Sequence, residues 1–530
     1  MPGLVGFTHS YSCRRAAQIT ERMRRLISHL DFHVSDADFC DTSIACSRVH
    51  TGIVKTDSHS SVWIDGEYSA ANFHAQYESD PNFGFLRGID AIYSAVVYDE
   101  PRQLLHLITD RYGLRHLYWA QKGDQIAWAS EVKAFTALPW FTPKIQPEAL
   151  EDFQEFGYLT GNRTWLQGVE LLPPATVLTF DLKTRKIESR RYWSWSDIKP
   201  LTGKLNEDEI AEELGRLFKR AVAEMAKANV PVGVSLSGGL DSRAVLAAVP
   251  FACETVTFGV EGCDDIRIAR VAAEAKKVPN HVVHLNAANW LENRAAGVWW
   301  TDGQTNLMHM HAIASFAAQR SRYQINLNGF LGDAVLGGSY QKDPRWTVTE
   351  KVDNRGRRLI NEGTRLANNV LHNRLPFFQN DLMEFTVSLP DWMKRKSRIY
   401  NRMLVRCFPE LFRSIPWQAT GAPISWPRNA VRARILFDRA KRLITGVNTR
   451  DYVHYAEWLR TAPALQTIEN LLFAPNVALP DFIDKSLMER TWREHMAGAD
   501  RAETICGYAT IELWLSRIFH TKQQAQLAAV

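Results

Sequence analysis

The chain has 530 residues, 45% of them hydrophobic and 23% charged, and a formal net charge of +5. That composition excludes a disordered chain, a fibre and a coiled coil, and the length allows roughly two to four domains, each able to bury a core without disulfide or metal staples. The charge is too small to imply nucleic acid as a partner.

Up to Trp195 the chain holds short strand-like runs at 44–49, 91–98, 104–109, 125–129 and 176–181. Turn residues such as Asp65-Gly66 and Lys122-Gly123-Asp124 separate them, which predicts an antiparallel, sheet-dominated domain. Residues 199–204 (Lys-Pro-Leu-Thr-Gly-Lys) read as a linker between domains spanning 1–198 and 205–530. An amphipathic helix follows. Asn206 can cap it, Glu209 lies three residues on, and Ile210, Leu214, Leu217, Phe218, Ala221 and Met225 share one face. The pattern then alternates. Strands are predicted at 232–236, 254–260 and 281–285 and helices at 242–248 and 265–278, so a parallel sheet with right-handed crossovers is expected. Helical patterns dominate after that, with one more strand at 324–327. Residues 391–450 hold 14 Lys or Arg against 3 acids. This stretch is either a solvated helical surface or a docking face for an acidic partner or phosphate groups.

The longest apolar run, 244–253, is about half the length of a membrane span. The opening MPGLVGFTHS lacks the basic start and long apolar stretch of a secretion signal. No membrane partner is therefore expected. Seven scattered cysteines without a CxxC argue against a zinc site and a disulfide framework, and a reducing cytoplasm is the expected compartment. Cys13, Cys40 and Cys46 read as packed interior residues. His309 and His311, two residues apart, suit neither one helix face nor a zinc pair.

The string Ser235-Leu236-Ser237-Gly238-Gly239-Leu240-Asp241-Ser242 ends a buried strand and opens a helix. Glycines let the backbone approach an anion closely, successive N–H groups form a nest for it, and the helix start adds partial positive charge. The hydroxyls of Ser237 and Ser242 can donate to the same oxygens. Asp241 would repel a phosphate unless a magnesium ion lies between them. These residues read as a site for a polyphosphate with its metal. No Gly-Lys-Ser/Thr follows, which excludes the ordinary P-loop.

This string resembles the pyrophosphate-binding loop of the ATP-pyrophosphatases. A second glycine-rich stretch, Asn328-Gly329-Phe330-Leu331-Gly332-Asp333-Ala334-Val335-Leu336-Gly337-Gly338, narrows the resemblance to the asparagine synthetase B family. Met1-Pro2-Gly3-Leu4-Val5-Gly6, Asp65-Gly66-Glu67-Tyr68, residues 109–118 and residues 129–134 are similar to segments of class II glutamine amidotransferases. The resemblance covers residues 1–425 and implies two domains, α/β and α+β in class. The N-terminal one would be an Ntn-hydrolase-like αββα sandwich. The C-terminal one would be a parallel-sheet adenine nucleotide α-hydrolase-like domain with added helices. It further implies ATP and Mg²⁺ as cofactors. The nucleotide would be bound by residues 235–242, Phe258, Gly259, Asn328 and Gly329, with the metal on Asp241 and Asp333. Asp265 starts the helix that carries an acid in relatives.

The departures from the family bear on function. Relatives expose a cysteine nucleophile after Met1; here position 2 is Pro. Their oxyanion-hole asparagine is Asp65, a carboxylate that would repel an oxyanion. Their glutamine-holding Gly-Ser-Asp loop is absent. A working glutaminase is therefore not expected. In the synthetase part, Phe330 replaces an acid, His372 replaces a glutamate, and Ile415–Gly421 stands where relatives carry a lysine. This predicts intact ATP handling with a rebuilt acceptor pocket, more apolar at Phe330, in which His372 is either a general base or a structural histidine. The expected activity is ATP-dependent amide formation through an acyl-adenylate, with release of AMP and pyrophosphate. The substrate would be a small molecule or peptide bearing a carboxylate and an amine. A biosynthetic partner protein could use the basic 391–450 region, and a homodimer is compatible with the reading. Ammonia-dependent asparagine synthesis and a non-catalytic scaffold are the alternatives.

Overall fold

A computed structural model describes residues 2–53, 57–203, 205–337, 347–445, 449–475 and 477–527. Met1, the linker's Lys204, the motif's Gly338 and residues 446–448 of the basic stretch lie outside the described residues.

The first part is an αββα sandwich. A seven-stranded sheet includes Leu4–Thr8, Ile44–His50, Tyr118–Lys122 and Gln125–Ala129; a five-stranded sheet includes Val62–Gly66, Tyr93–Asp99, Leu104–Thr109 and Thr176–Asp181. All their described pairings are antiparallel. Alternation along each strand sorts the side chains. Leu4, Ile44, Trp63, Leu107, Trp128 and Phe180 fill the space between the sheets. Val5, Phe7, Ala45 and Ala127 turn outward onto a layer that includes the Cys13–Ile27 helix. Asp65-Gly66 is not a turn, as the sequence predicts, but the end of a strand paired with Ser94 and Tyr93. Cys46 is buried, whereas Cys13 is exposed and Cys40 half-exposed, so the interior reading holds only for Cys46.

The second part is built on a five-stranded, all-parallel sheet. In spatial order its strands are Asn280–His284, Glu254–Gly259, Val232–Ser235, Ile325–Leu327 and His372–Arg374. Chain order therefore reads 3-2-1-4-5, with the reversal between the first and fourth strands. Such a reversal opens a crevice at the strands' carboxyl ends, where parallel sheets bind ligands. The Glu207–Met225 helix leads in. Asn206 caps it by accepting from the Asp208 N–H at 2.9 Å, and Glu209 takes a bond from the Asn206 side chain, as its spacing predicts. The fifth strand is not predicted from the sequence.

The two parts interlock. The π-helical Val352–Ile360 segment sends buried Arg357 to the carbonyls of Gly113 and Leu172, and buried Arg358 to those of Leu159 and Arg163. The Ala502–Leu527 helix closes the shared core, with Trp514 against Trp165 at 5.7 Å between ring centroids.

Candidate active site

Val232 and Val234 are buried on one face of the sheet and Gly233 lies against the Tyr323 ring on the other, as a central parallel strand requires. The chain leaves this strand at Ser235 and turns through Ser237–Leu240 into the Asp241–Ala248 helix. The loop is tied to itself and to the next crossover. Ser237 and Ser242 share a hydroxyl–hydroxyl bond of 2.9 Å, the Ser237 N–H donates to the Ser242 hydroxyl at 3.0 Å, and the Gly239 N–H donates to the Ser237 hydroxyl at 3.2 Å. The Gly238 N–H donates to Asp265 at 2.8 Å. Asp265, at the start of its helix, thus braces the loop; burial raises its carboxyl above the usual range.

The Asn328–Asp333 stretch lies against this loop across the switch point. A methyl group added to Gly329 would come within 2.8 Å of the backbone between Asp241 and Ser242, and one at Gly332 within 2.8 Å of the Asp241 carboxyl carbon. At Gly329 two backbones meet, and at Gly332 the Phe377 ring and the Asp241 carboxyl leave no room for a side chain. The Asp333 N–H donates to Asp241 at 2.8 Å, and the Tyr400 hydroxyl donates to its other oxygen at 2.7 Å. Burial first, then the charge of Asp333, pushes Asp241 up to about 8, while the bond from Tyr400 opposes them. A divalent cation is the partner that such a pair of neighbouring acids fits. The glycine cradle, the serine hydroxyls and this acid pair together fit a metal-bound polyphosphate.

A row of buried amides runs beneath the two loops. Asn326 accepts from the Ser235 N–H at 2.9 Å and donates to Asn373 at 2.8 Å; Asn373 donates to Asn368 at 2.9 Å and accepts from Asn328 at 3.3 Å. Asn328 is thereby fixed from the fifth strand. Farther along, Phe258 sits with its ring 5.6 Å from His311 and 6.3 Å from Tyr452, and the Val260 N–H bonds the Tyr452 carbonyl at 2.9 Å. Gln418 covers Gly238, its N–H reaching the Gly238 carbonyl at 3.3 Å. Tyr400, Tyr452, Asn326 and Asn368 lie in no motif; their roles arise from folding alone.

The structure unites Ser235–Ser242, Asn328, Gly329 and Asp333 at the switch point, with Phe258 and Gly259 ending the adjacent strand. His372 is elsewhere. It opens the fifth strand opposite Ile325, at the amino side of the sheet. There its ring bonds Glu67 of the sandwich at 2.9 Å, beside Arg374, which reaches the same carboxylate at 2.8 Å. Burial opposes ionisation of Glu67, but His372 and Arg374 outweigh it and hold the carboxyl at about 2. His372 therefore pairs the domains instead of facing Asp241. Phe330 is buried in the core, its ring centroid 5.3 Å from that of Phe378. His309 and His311 are separated too. His309 pairs with Glu503 at 3.2 Å, and His311 meets Tyr452.

At the other end of the domain interface, Pro2, Asp65, Arg115 and His372 border one cavity, and Arg115 and His372 also border a second that extends to Glu67, Asn361 and Gln379. Asp65 lies 3.5 Å from Arg115, and its second oxygen is buried with no hydrogen-bond donor among the described residues. Asp110 is structural: it accepts from the N–H groups of Tyr112, Leu114 and Arg115 and shapes their loop. Much of the basic 391–450 stretch is neutralised within the chain. Arg398, Arg402 and Arg406 pair with Glu207, Asp208 and Glu212, Arg402 to Asp208 at 2.7 Å.

A sandwich of this kind joined to a parallel sheet with a phosphate-type loop defines a two-domain amidotransferase–synthetase class. A glutamine amidotransferase domain model matches residues 83–193 and an asparagine synthase model matches residues 213–371. Both matches, together with the relatives that follow, support an asparagine synthetase B-like family for this chain. It is 25% identical over 293 residues to the glutamine-hydrolyzing asparagine synthetase 2 of Bacillus subtilis, covering 50% of this chain and 39% of that one. It is 27% identical over 240 residues to amidase chry2 of Gibberella zeae and, over the same length, to amidase chyE of Penicillium rubens, covering 41% of this chain and 35% of each relative. The matched segments span less than half of these relatives. Among the described residues no helix is long and apolar enough to cross a membrane.

Proposed function

We propose that this protein is an ATP-dependent ligase that joins a carboxylate to an amine through an acyl-adenylate. A carboxylate oxygen attacks the α-phosphorus of ATP, the bond to the bridging oxygen breaks, and pyrophosphate leaves with the electron pair. The amine then attacks the acyl carbon and loses a proton, and AMP departs to leave the amide. The Gly239 N–H and the hydroxyls of Ser237 and Ser242 orient the leaving pyrophosphate. Asp241 and Asp333 would hold Mg²⁺, which when bound offsets polyphosphate charge.

One observation carries the reading: the Ser237–Ser242 and Asn328–Asp333 loops meet at the switch point with Asp241 and Asp333 side by side. A scaffold has no use for an acid kept buried against a second acid. The names of the relatives, asparagine synthetase and amidase, agree with amide chemistry. Loss of glutaminase activity is part of the proposal. Pro2 offers no nucleophile, and Asp65 places an undonated carboxylate oxygen where an oxyanion would form.

Pyrophosphate-dependent isotope exchange into ATP, run with aspartate and with a panel of other carboxylates, tests the adenylation step. Exchange with one or more carboxylates is expected, and none with any would overturn it. Asparagine formed from aspartate and ammonium would assign the acceptor as free ammonia instead of an amine on a larger substrate. Glutamate release from glutamine would refute the loss of glutaminase activity.

A further inference from the structure

The Arg428–Thr445 helix contributes nothing to the site, yet its composition is unusual for a surface helix. It carries Arg428, Arg432, Arg434, Arg439, Lys441 and Arg442 against the single acid Asp438. At 100° per residue, Val431, Asp438 and Arg442 share the side that leans on the protein, and these are the half-buried positions. Asp438 is held there by Arg434 at 3.2 Å and Arg450 at 2.8 Å. The opposite side is apolar and open to solvent. Leu436 is 65% exposed, Phe437 60%, Leu443 81% and Ile444 85%, with Ala433 and Ala440 between them. Arg432 and Arg439 border this stripe on one flank, Arg434 and Lys441 on the other. Trp426, also exposed, precedes the helix.

A soluble surface helix turns its apolar stripe inward. This one turns it outward, over nearly its whole length, between two rows of cations. We propose that the helix docks on an anionic lipid surface, lying in the interface with Leu436, Phe437, Leu443 and Ile444 among the acyl chains and the flanking cations at the phosphates. This goes against the expectation, drawn from composition, of no membrane partner. It concerns lying on a membrane, not spanning one. Charge complementarity selects the occupant. A second copy of the helix would bring six cations against six. A protein groove would need carboxylate rims on both sides of an apolar floor, whereas anionic headgroups over hydrocarbon supply both without demanding shape. The one acid of the helix faces inward, so its outward side presents no carboxylate to repel phosphates. The proposal does not rest on the ligase reading.

The test is co-sedimentation of the full chain with unilamellar vesicles of phosphatidylglycerol and phosphatidylcholine, and of phosphatidylcholine alone. The mixed vesicles should carry the protein down, the neutral ones much less, and added salt should weaken binding. Arg432→Gln with Arg439→Gln should cost roughly fivefold in partitioning per cation removed. Leu436→Ser, Phe437→Ser, Leu443→Ser and Ile444→Ser together should reduce it more than tenfold while leaving the circular dichroism spectrum unchanged, since all four are exposed. No sedimentation with phosphatidylglycerol at low salt, or equal sedimentation of wild type and the serine variant, would overturn the proposal. So would a lipid-free dimer, seen by sedimentation velocity, that the serine variant abolishes.

Discussion

Asp241 and Glu67 are both partly buried carboxylates, and their neighbours drive them in opposite directions. Asp241 has Asp333 beside it and rises to about 8; Glu67 has His372 and Arg374 and falls to about 2. The first fits a cation; the second already has the Arg374 guanidinium and a hydrogen bond with His372. The unfolded chain takes a proton on Glu67 near the ordinary value of 4.5, while the folded chain resists until about 2. The stability from this pairing is therefore present above pH 4.5 and is lost as pH falls toward 2. Glu67→Gln should lower stability at neutral pH by about 2 kcal/mol, with the deficit vanishing in strong acid; melting curves of wild type and variant across pH check this. Asp241 and Asp333 are legible in the sequence because each lies in a glycine-rich string of fixed spacing. The partner of His372 is not, because Glu67 is 305 residues away and belongs to the other domain. The packing of Phe330 is hidden for a related reason: a change from acid to aromatic at a motif position does not reveal that the ring lies tilted against Phe378, a residue outside the motif.

The element that makes the site is a pair of strand-to-helix loops pressed together, and the pressing is done by glycine. Gly329→Ala would drive a methyl group into the backbone between Asp241 and Ser242. Neither side of that contact is a flexible side chain, so the loops must part. The variant should lose about 1–3 kcal/mol of stability and most of its ATP turnover; thermal unfolding and isothermal titration with Mg-ATP measure the two effects. Alternation of strand and helix made the first three strands of the sheet readable, with boundaries within a residue or two. The fifth escapes because His372-Asn373-Arg374 has no apolar pattern. Its middle residue is held by the amide row from Asn326 to Asn368, which hydrophobic periodicity does not register.

At the scale of the whole molecule, the sandwich is locked to the synthetase part by ions that water does not reach. Lys133, fully buried, bonds Asp302 at 3.0 Å and the Trp299 carbonyl at 2.7 Å, and pairs with Glu131, which also meets His29 at 2.9 Å. The N–H groups of Val132 and Lys133 bond Asp302 as well. The family-like 129–134 segment is thus a latch between domains. Lys133→Met would strand two buried carboxylates and should cost about 3–5 kcal/mol. Scanning calorimetry should then show a much lower transition or two transitions in place of one. Part of the last hundred residues, which no motif places, serves the same end, since Trp514 and its helix pack into the core that both domains share.

The proposed reaction is cleavage of ATP between the α- and β-phosphates at the crevice shared by Asp241 and Asp333. It is tested most directly by following ATP labelled at the α-phosphate with the wild type and with Asp241→Asn, in the presence of Mg²⁺, aspartate, ammonium and a fractionated extract of metabolites and peptides. AMP and pyrophosphate are expected in equal amounts from the wild type, and neither above background from a folded Asp241→Asn protein. Release of ADP and phosphate instead, or undiminished AMP formation by the variant, would contradict it.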